Sequence, residues 1–240
     1  MMGHHGLLAA LSSGPPYAAT KSIDFDGVDA YVSLGTPFSG TTSGSPFTIS
    51  LWLRASIWSG NFFALGAAPA GLVLPLVQCT ASAAYCYNEN GYTFVYAPGG
   101  GPLGNNTWYH LVIVSTGSGF PTVYINGTAR SDGSGASAWT RAGGTAWLWG
   151  RYNSATYSFD GNMCELALWH SALNSTQAAA VYNGGTRHNL WNLGTRPDRY
   201  WPVQPTDSTV AGSPTIQDFS GAYPGTPVNT VAGDLVSVTP

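Results

Sequence analysis

The feature that most constrains this chain is the alternation in "PFTISLWLRAS". Phe47, Ile49, Leu51 and Leu53 fall on one side of an extended chain, and Thr48, Ser50, Trp52 and Arg54 on the other. A period of two places one set in a core and the other on the opposite face. Similar runs follow: "NFFALG", "GLVLPLVQ", "GYTFVYA", Trp108 to about Ser115, Thr122 to Ile125, "TAWLWG" and "GNMCELALWH". They recur about every 8–12 residues between Gly- and Pro-rich turns, which is the spacing of a β-sandwich. Asn126-Gly127 marks a tight hairpin, because both central positions of a type I′ turn need φ > 0. "SIDFDGVDAYVSLG" reads as a strand, an Asp-Gly turn and a strand.

One helix interrupts the series, in "LNSTQAAAVYNGG". Asn174 is placed to cap it and Gln177 to complete a capping box. Ala178 to Tyr182 propagate the helix, and Gly184 or Gly185 ends it. Beyond it, from "GTRPDRYWPV" to "VSVTP", the chain is irregular and Pro-rich. The expected fold is all-β: a two-sheet antiparallel jelly-roll sandwich with one short helix and an extended N-terminal arm. Residues 1–20 form the arm, and residues 21–240 form one domain that includes a wrapped tail.

Composition excludes several functions. Charged residues make up 8% of the chain, against about 25% in an average protein. Eight basic residues and a net charge of −3 cannot build the basic face a nucleic-acid partner needs. No run approaches the roughly 20 apolar residues of a membrane helix, so no membrane insertion is expected. The N-terminus, "MMGHHGLLAALSSGPPYAATKS", lacks the basic region and the longer apolar core of a secretory signal. Leu7, Leu8 and Leu11 give this arm an apolar face suited to docking on a partner or on its own domain. Of the three cysteines, Cys79 and Cys86 are close enough to bridge a local loop, and Cys164 lies in an apolar strand. No CxxC or His cluster suggests zinc.

In order and spacing, "IDFDGVDAYVSLG", "FTISLWLRA", "NTWYHLVIVSTGSGFPTVYINGT", "GNMCELALWHSALNSTQAAAVYNGG" and the tail "YWPVQ…IQDFSGAYPGTPVNT" resemble laminin-G-like and pentraxin-like domains of the concanavalin A type. The resemblance runs from about Ser22 to Thr230. It implies the jelly-roll fold and says less about function, since this fold hosts lectins, adhesion modules, enzymes and virion parts. It also implies that the Trp-x-His strand is a structural signature. Trp108, His110, Val112 and Val114 share one face, and a catalytic His would need a nucleophile and an orienting acid. His110 is therefore expected to be scaffold.

Sugar hydrolysis needs two carboxylates, and the chain has only two glutamates, Glu89 and Glu165. Asp24 and Asp26 are the one i, i+2 acid pair and are expected to serve a turn. Asp24, Asp26 and Asp29 are the weak candidates for a single structural ion. The pentraxin-type calcium pair is expected to be absent, because the corresponding loop, "GRYNSATYS", has no acid. No cofactor is expected. Trp58, Tyr87, Trp139, Tyr152 and Tyr157 are candidate ligand or protein contacts in loops. The arm, the low charge and the missing metal loop together resemble laminin-G-like proteins of tailed-phage virions. That resemblance implies a non-enzymatic structural protein, a capsid decoration or a tail or fibre component, localised to the virion. Its partners would be other virion proteins, copies of itself, and host glycans. The alternative is a secreted or cell-surface glycan-binding module.

Overall fold

The structure, a computed structural model, describes residues 16–42, 44–58, 62–68, 76–79, 84–87, 93–96, 103–130, 146–152, 158–213 and 215–240. Fifteen strands are numbered in chain order: β1 (Ser22–Asp26), β2 (Tyr31–Ser33), β3 (Phe47–Ala55), β4 (Phe62–Ala68), β5 (Leu76–Cys79), β6 (Ala84–Tyr87), β7 (Thr93–Tyr96), β8 (Tyr109–Ser115), β9 (Thr122–Ile125), β10 (Thr128–Arg130), β11 (Ala146–Trp149), β12 (Asp160–Trp169), β13 (Arg199–Trp201), β14 (Thr226–Val228) and β15 (Leu235–Val236). They form two antiparallel sheets. The first runs β10-β9-β8-β3-β12-β1-β15, with β13 also paired to β12; the second runs β14-β2-β11-β4-β5-β6-β7.

The alternation in β3 decides what lies between the sheets. Phe47, Ile49, Leu51 and Leu53 join Ile23, Phe25, Leu111, Ile113, Trp147, Trp149 and Leu168 in the main core. The opposite face of the first sheet is covered rather than wet. Val112, Val114, Ala167 and Trp169 pack there against Leu173, Ala178, Val181, Leu190, Tyr200 and Phe219. This second layer explains why nearly every residue of β3 and β12 is buried. Thr48 and Ser50, which alternation alone would send to solvent, are fully buried beneath it.

The cover is built from the expected helix and the irregular tail. The helix, α1, spans Ser175–Tyr182, with Asn174 and Gln177 forming the capping box and Asn183 ending it at φ 50°. Its side chains are tied back to the tail: the Gln177 side-chain amide donates to Thr195 Oγ1 at 2.8 Å. The Trp169 indole donates to the Thr195 carbonyl at 2.9 Å. The β9–β10 hairpin turns at Asn126 and Gly127, at φ 50° and 73°. A Cβ on Gly127 would come within 2.5 Å of the Tyr182 ring, so this glycine also lets the hairpin lie against the helix.

Residues 1–15, including Leu7, Leu8 and Leu11, lie outside the described residues. Tyr17 and Ala18 fall within the expected arm of residues 1–20. Tyr17 donates its hydroxyl to Glu165 Oε1 at 2.8 Å, and the Ala18 amide donates to the Gln204 side chain at 2.8 Å. Both residues are therefore bonded into the sandwich. Cys79 pairs in register with Ala84, and Cys86 with Val77, so the two are not cross-strand partners; their side chains lie outside the described residues. Cys164 is a free, buried thiol. Among the described residues no helix is long and apolar enough to cross a membrane.

Candidate functional site

His110 sits in the covered layer, 1% exposed. Its ring lies 4.7 Å from that of Trp52 and 5.5 Å from that of Tyr182. Nε2 is 2.9 Å from Ser50 Oγ, and Nδ1 has no hydrogen-bond partner. The backbone does the remaining work: the His110 amide donates to the Asn126 side chain at 2.8 Å, and the Asn126 amide donates to the His110 carbonyl at 2.9 Å. A Ser–His pair with no acid to orient the ring, closed in by two aromatics, lacks what a nucleophilic site requires. Burial pushes the imidazole pKa down to about 3, so the ring is neutral in the fold and charges only on unfolding. The resulting stability is complete above the ordinary value near 6.5 and is lost as pH falls toward 3. At pH 4.5, between the two values, most of that stability is already lost. Asp207, whose carboxyl burial pushes up to about 6, opposes this trend, so the readout is a difference. The melting gap between wild type and His110→Gln should narrow as pH is lowered from 7 to 4.5. A gap independent of pH would contradict a neutral buried ring.

Glu165 stands at a β-bulge. Between Cys164 and Ala167 the register of β12 against β3 shifts, and Glu165 takes φ 55°. The bulge turns its carboxylate into the covered layer, where it is 2% exposed. All its partners are donors: Arg187 Nε at 2.9 Å, the Tyr17 hydroxyl at 2.8 Å and the Tyr200 hydroxyl. Arg187 spends its other nitrogens on the carbonyls of Lys21 and Pro202 at 3.1 and 2.9 Å. Burial pushes the carboxyl up, while Arg187 and the two tyrosines pull it down. The network joins the N-terminal segment, β12 and the tail. It offers no second carboxylate in contact and hence no acid–base pair.

In "DFDGVD" the Asp24 and Asp26 carboxylates are hydrogen-bonded within the fold. Asp26 Oδ1 accepts from the amides of Val28, Asp29 and Ala30 at 2.8, 3.1 and 3.1 Å, an Asx turn at the Asp-Gly corner. Asp24 accepts from the Asn162 side chain at 2.9 Å. Among the described residues no group of three or more His, Cys, Asp or Glu could hold a metal ion.

Trp58 does not present its ring to solvent. It is 3% exposed, its indole donates to the Gly104 carbonyl at 3.0 Å, and its ring packs edge-on to Tyr109. A Trp next to Ser-Gly reads as a loop residue, but the neighbouring segment folds over it. Tyr152 is partly buried against the main core. Trp139, Tyr157 and the Tyr87 side chain lie outside the described residues.

The irregular tail instead builds a cleft of about 340 Å³, lined by Trp191, Arg196, Pro197, Asp198, Arg199 and Ser220. A Leu190–Asn192 turn, capped by the Asn189 side chain, carries Trp191. The Arg196 guanidinium lies over the Trp191 ring, 4.8 Å from its centroid. Arg199 stacks on Tyr223 at 4.6 Å and donates through one terminal nitrogen to the Asp198 carbonyl at 2.6 Å; its Nε is buried without a partner. Asp198 is fixed by the His170 amide, which donates to Oδ2 at 2.7 Å. The floor is the "DFSG" turn. Asp218 accepts from the amides of Tyr200, Ser220 and Tyr223 at 3.0 Å each, and from the Ser220 hydroxyl. Among the described residues the ion pair is Arg187–Glu165, so Asp198 does not neutralise either cleft arginine at contact distance. A cleft of this volume with a few fixed polar groups has the size and character of a small-ligand site. One signal of it was present in "TRPDRYW": two of the chain's eight basic residues fall within four positions.

Residues 26–179 match the family described as the concanavalin A-like lectin/glucanases superfamily, a laminin G type. No curated protein matches the sequence. Similar solved structures include the following three. A proposed carbohydrate binding protein from Bacteroides ovatus is 19% identical with a TM-score of 0.65, covering 90% of this chain and 61% of that one. Domain 4 of an extracellular arabinanase from Geobacillus stearothermophilus, solved with arabinotriose, is 15% identical with a TM-score of 0.50, covering 67% of this chain and 76% of that one. The heptameric pentraxin of Limulus polyphemus is 14% identical with a TM-score of 0.49, covering 70% and 84%. The chain thus spans about three-fifths of the length of the Bacteroides protein.

Proposed function

The chain belongs to the concanavalin A-like lectin/glucanases superfamily, and on that premise we propose that it is an extracellular glycan-binding module whose ligand seats in the Trp191–Arg199 cleft. The carrying observation is the cleft itself. It joins two cation–π-held guanidiniums, one carboxylate and one hydroxyl on a closed turn, beside an aromatic ring. A small number of fixed polar groups that orient a ligand is a feature of binding clefts. The description of the Bacteroides protein as a proposed carbohydrate binding protein and the arabinotriose complex of the arabinanase domain support the glycan-binding part of this reading. Burial of His110 and the donor-only surroundings of Glu165 favour binding over hydrolysis.

A virion role rests on the arm, the low charge and the loop "GRYNSATYS" without acids. The segment that follows the arm, at Tyr17 and Ala18, is bonded to the chain's own sandwich. We therefore place glycan binding first and host- or self-docking through Leu7, Leu8 and Leu11 second.

The test is titration with a panel of neutral and acidic oligosaccharides, followed by NMR of the tryptophan indole N–H signals. Binding in the cleft should move the Trp191 signal, assigned by its loss in Trp191→Phe. Trp147 and Trp149, both fully buried, should stay in place. Panel members that bind without moving Trp191 would put the site elsewhere, and no binding at all would remove the glycan reading.

A further inference from the structure

Resting on the glycan-binding reading, we infer that the cleft selects acidic saccharides, with Arg196 and Arg199 receiving a sugar carboxylate. A site for a neutral sugar leaves its aromatic face bare for the sugar ring. Here the face of Trp191 is occupied by the Arg196 guanidinium at 4.8 Å, so the indole serves as a holder for a cation. Arg196 is exposed and makes no hydrogen bond or ion pair with a described residue, which leaves its N–H edge to a ligand.

Arg199 is held in a parallel way on Tyr223 at 4.6 Å, and Tyr223 is steadied by its hydroxyl contact with Ser39 Oγ at 2.6 Å. The buried Nε of Arg199 lacks an acceptor. Both guanidiniums thus line one cleft, whose two carboxylates are already engaged, Asp198 by the His170 amide and Asp218 by three amides and the Ser220 hydroxyl. A planar guanidinium matches a carboxylate with two parallel N–H···O bonds, and pre-stacking on a ring reduces the freedom lost on binding. The remaining groups, the Asp198 carboxylate and the Ser220 hydroxyl, suit sugar hydroxyls.

The experiment compares trigalacturonate and sialyllactose, each with its own methyl ester, by calorimetry on the full chain at low and high salt. At least one free acid should bind about tenfold or more tightly than its ester, the usual return on a charge-assisted hydrogen bond, and the difference should shrink with salt. Arg196→Gln, at an exposed position, should erase the difference while leaving the melting temperature unchanged; Arg199→Lys should reduce it. Acid and ester binding equally well would overturn the acidic preference and leave the glycan reading standing. Binding of neither by a cleft that also ignores the neutral panel would overturn both. Sodium acetate competing as effectively as the acidic sugar would mean a bare anion site and would overturn the saccharide part.

Discussion

Replacing Glu165 by Leu is expected to lower the melting temperature by roughly 10 °C. The substitution leaves the Arg187 guanidinium buried without its carboxylate and leaves the Tyr17 and Tyr200 hydroxyls without their acceptor. Breaking a buried pair from one side costs about 3–5 kcal/mol, and in a domain of this size each kcal/mol moves the midpoint by about 2–4 °C. The double replacement Glu165→Leu with Arg187→Met should recover much of the loss, because an apolar pair of similar volume does not carry the desolvation cost of two charges. Glu165→Gln should fall between wild type and the Leu variant, since it still accepts from the tyrosines. A Leu variant within about 1 kcal/mol of wild type, measured by denaturant unfolding, would mean that the network adds nothing to stability.

The sandwich was legible because its signals are local. Alternation in "FTISLWLRA", the φ > 0 pair Asn126-Gly127 and the Asn174/Gln177 capping box each depend on neighbours within a few positions. Each appears in the structure where the sequence puts it. What was not legible depends on distance along the chain. Thr48 and Ser50 look exposed until residues 173–219 fold over their face of the sheet. Glu165 looks like a strand residue sharing a face with Ala167 and Trp169. The bulge, with Arg187, Tyr17 and Tyr200 brought from 22 or more positions away, gives it buried partners. Trp58 reads as a surface ring for the same reason, since its cover comes from Gly104 and Tyr109. The cleft lies in a stretch without period, "GTRPDRYWPV", where pattern reading has nothing to count. Its groups converge only because Asp218 closes the turn beneath them.

A chain beginning at Lys21 is expected to melt about 5–10 °C below one beginning at Pro16, and this comparison separates the domain from its arm. The shorter chain lacks the hydroxyl that Tyr17 donates to Glu165 and the amide that Ala18 donates to Gln204, both at 2.8 Å. It also uncovers the second apolar layer, against which Tyr17 packs. Leaving a buried carboxylate short of a donor costs about 1–3 kcal/mol, and at 2–4 °C per kcal/mol that loss together with the exposed apolar surface gives the shift. Tyr17→Phe in the longer chain keeps the ring and removes the hydroxyl, so it should reproduce only the hydrogen-bond share. The Pro16 chain then tests residues 1–15 alone. If it melts like the full chain and loses self-association or particle binding, the three leucines at 7, 8 and 11 are a docking element and the virion reading gains its first direct support. If it keeps every partner and still binds acidic sugar, the module is complete from Pro16 and its work is done at the cleft. Equal melting of the Pro16 and Lys21 chains would mean that the Tyr17 and Ala18 bonds do not hold the fold, and the domain would begin at β1.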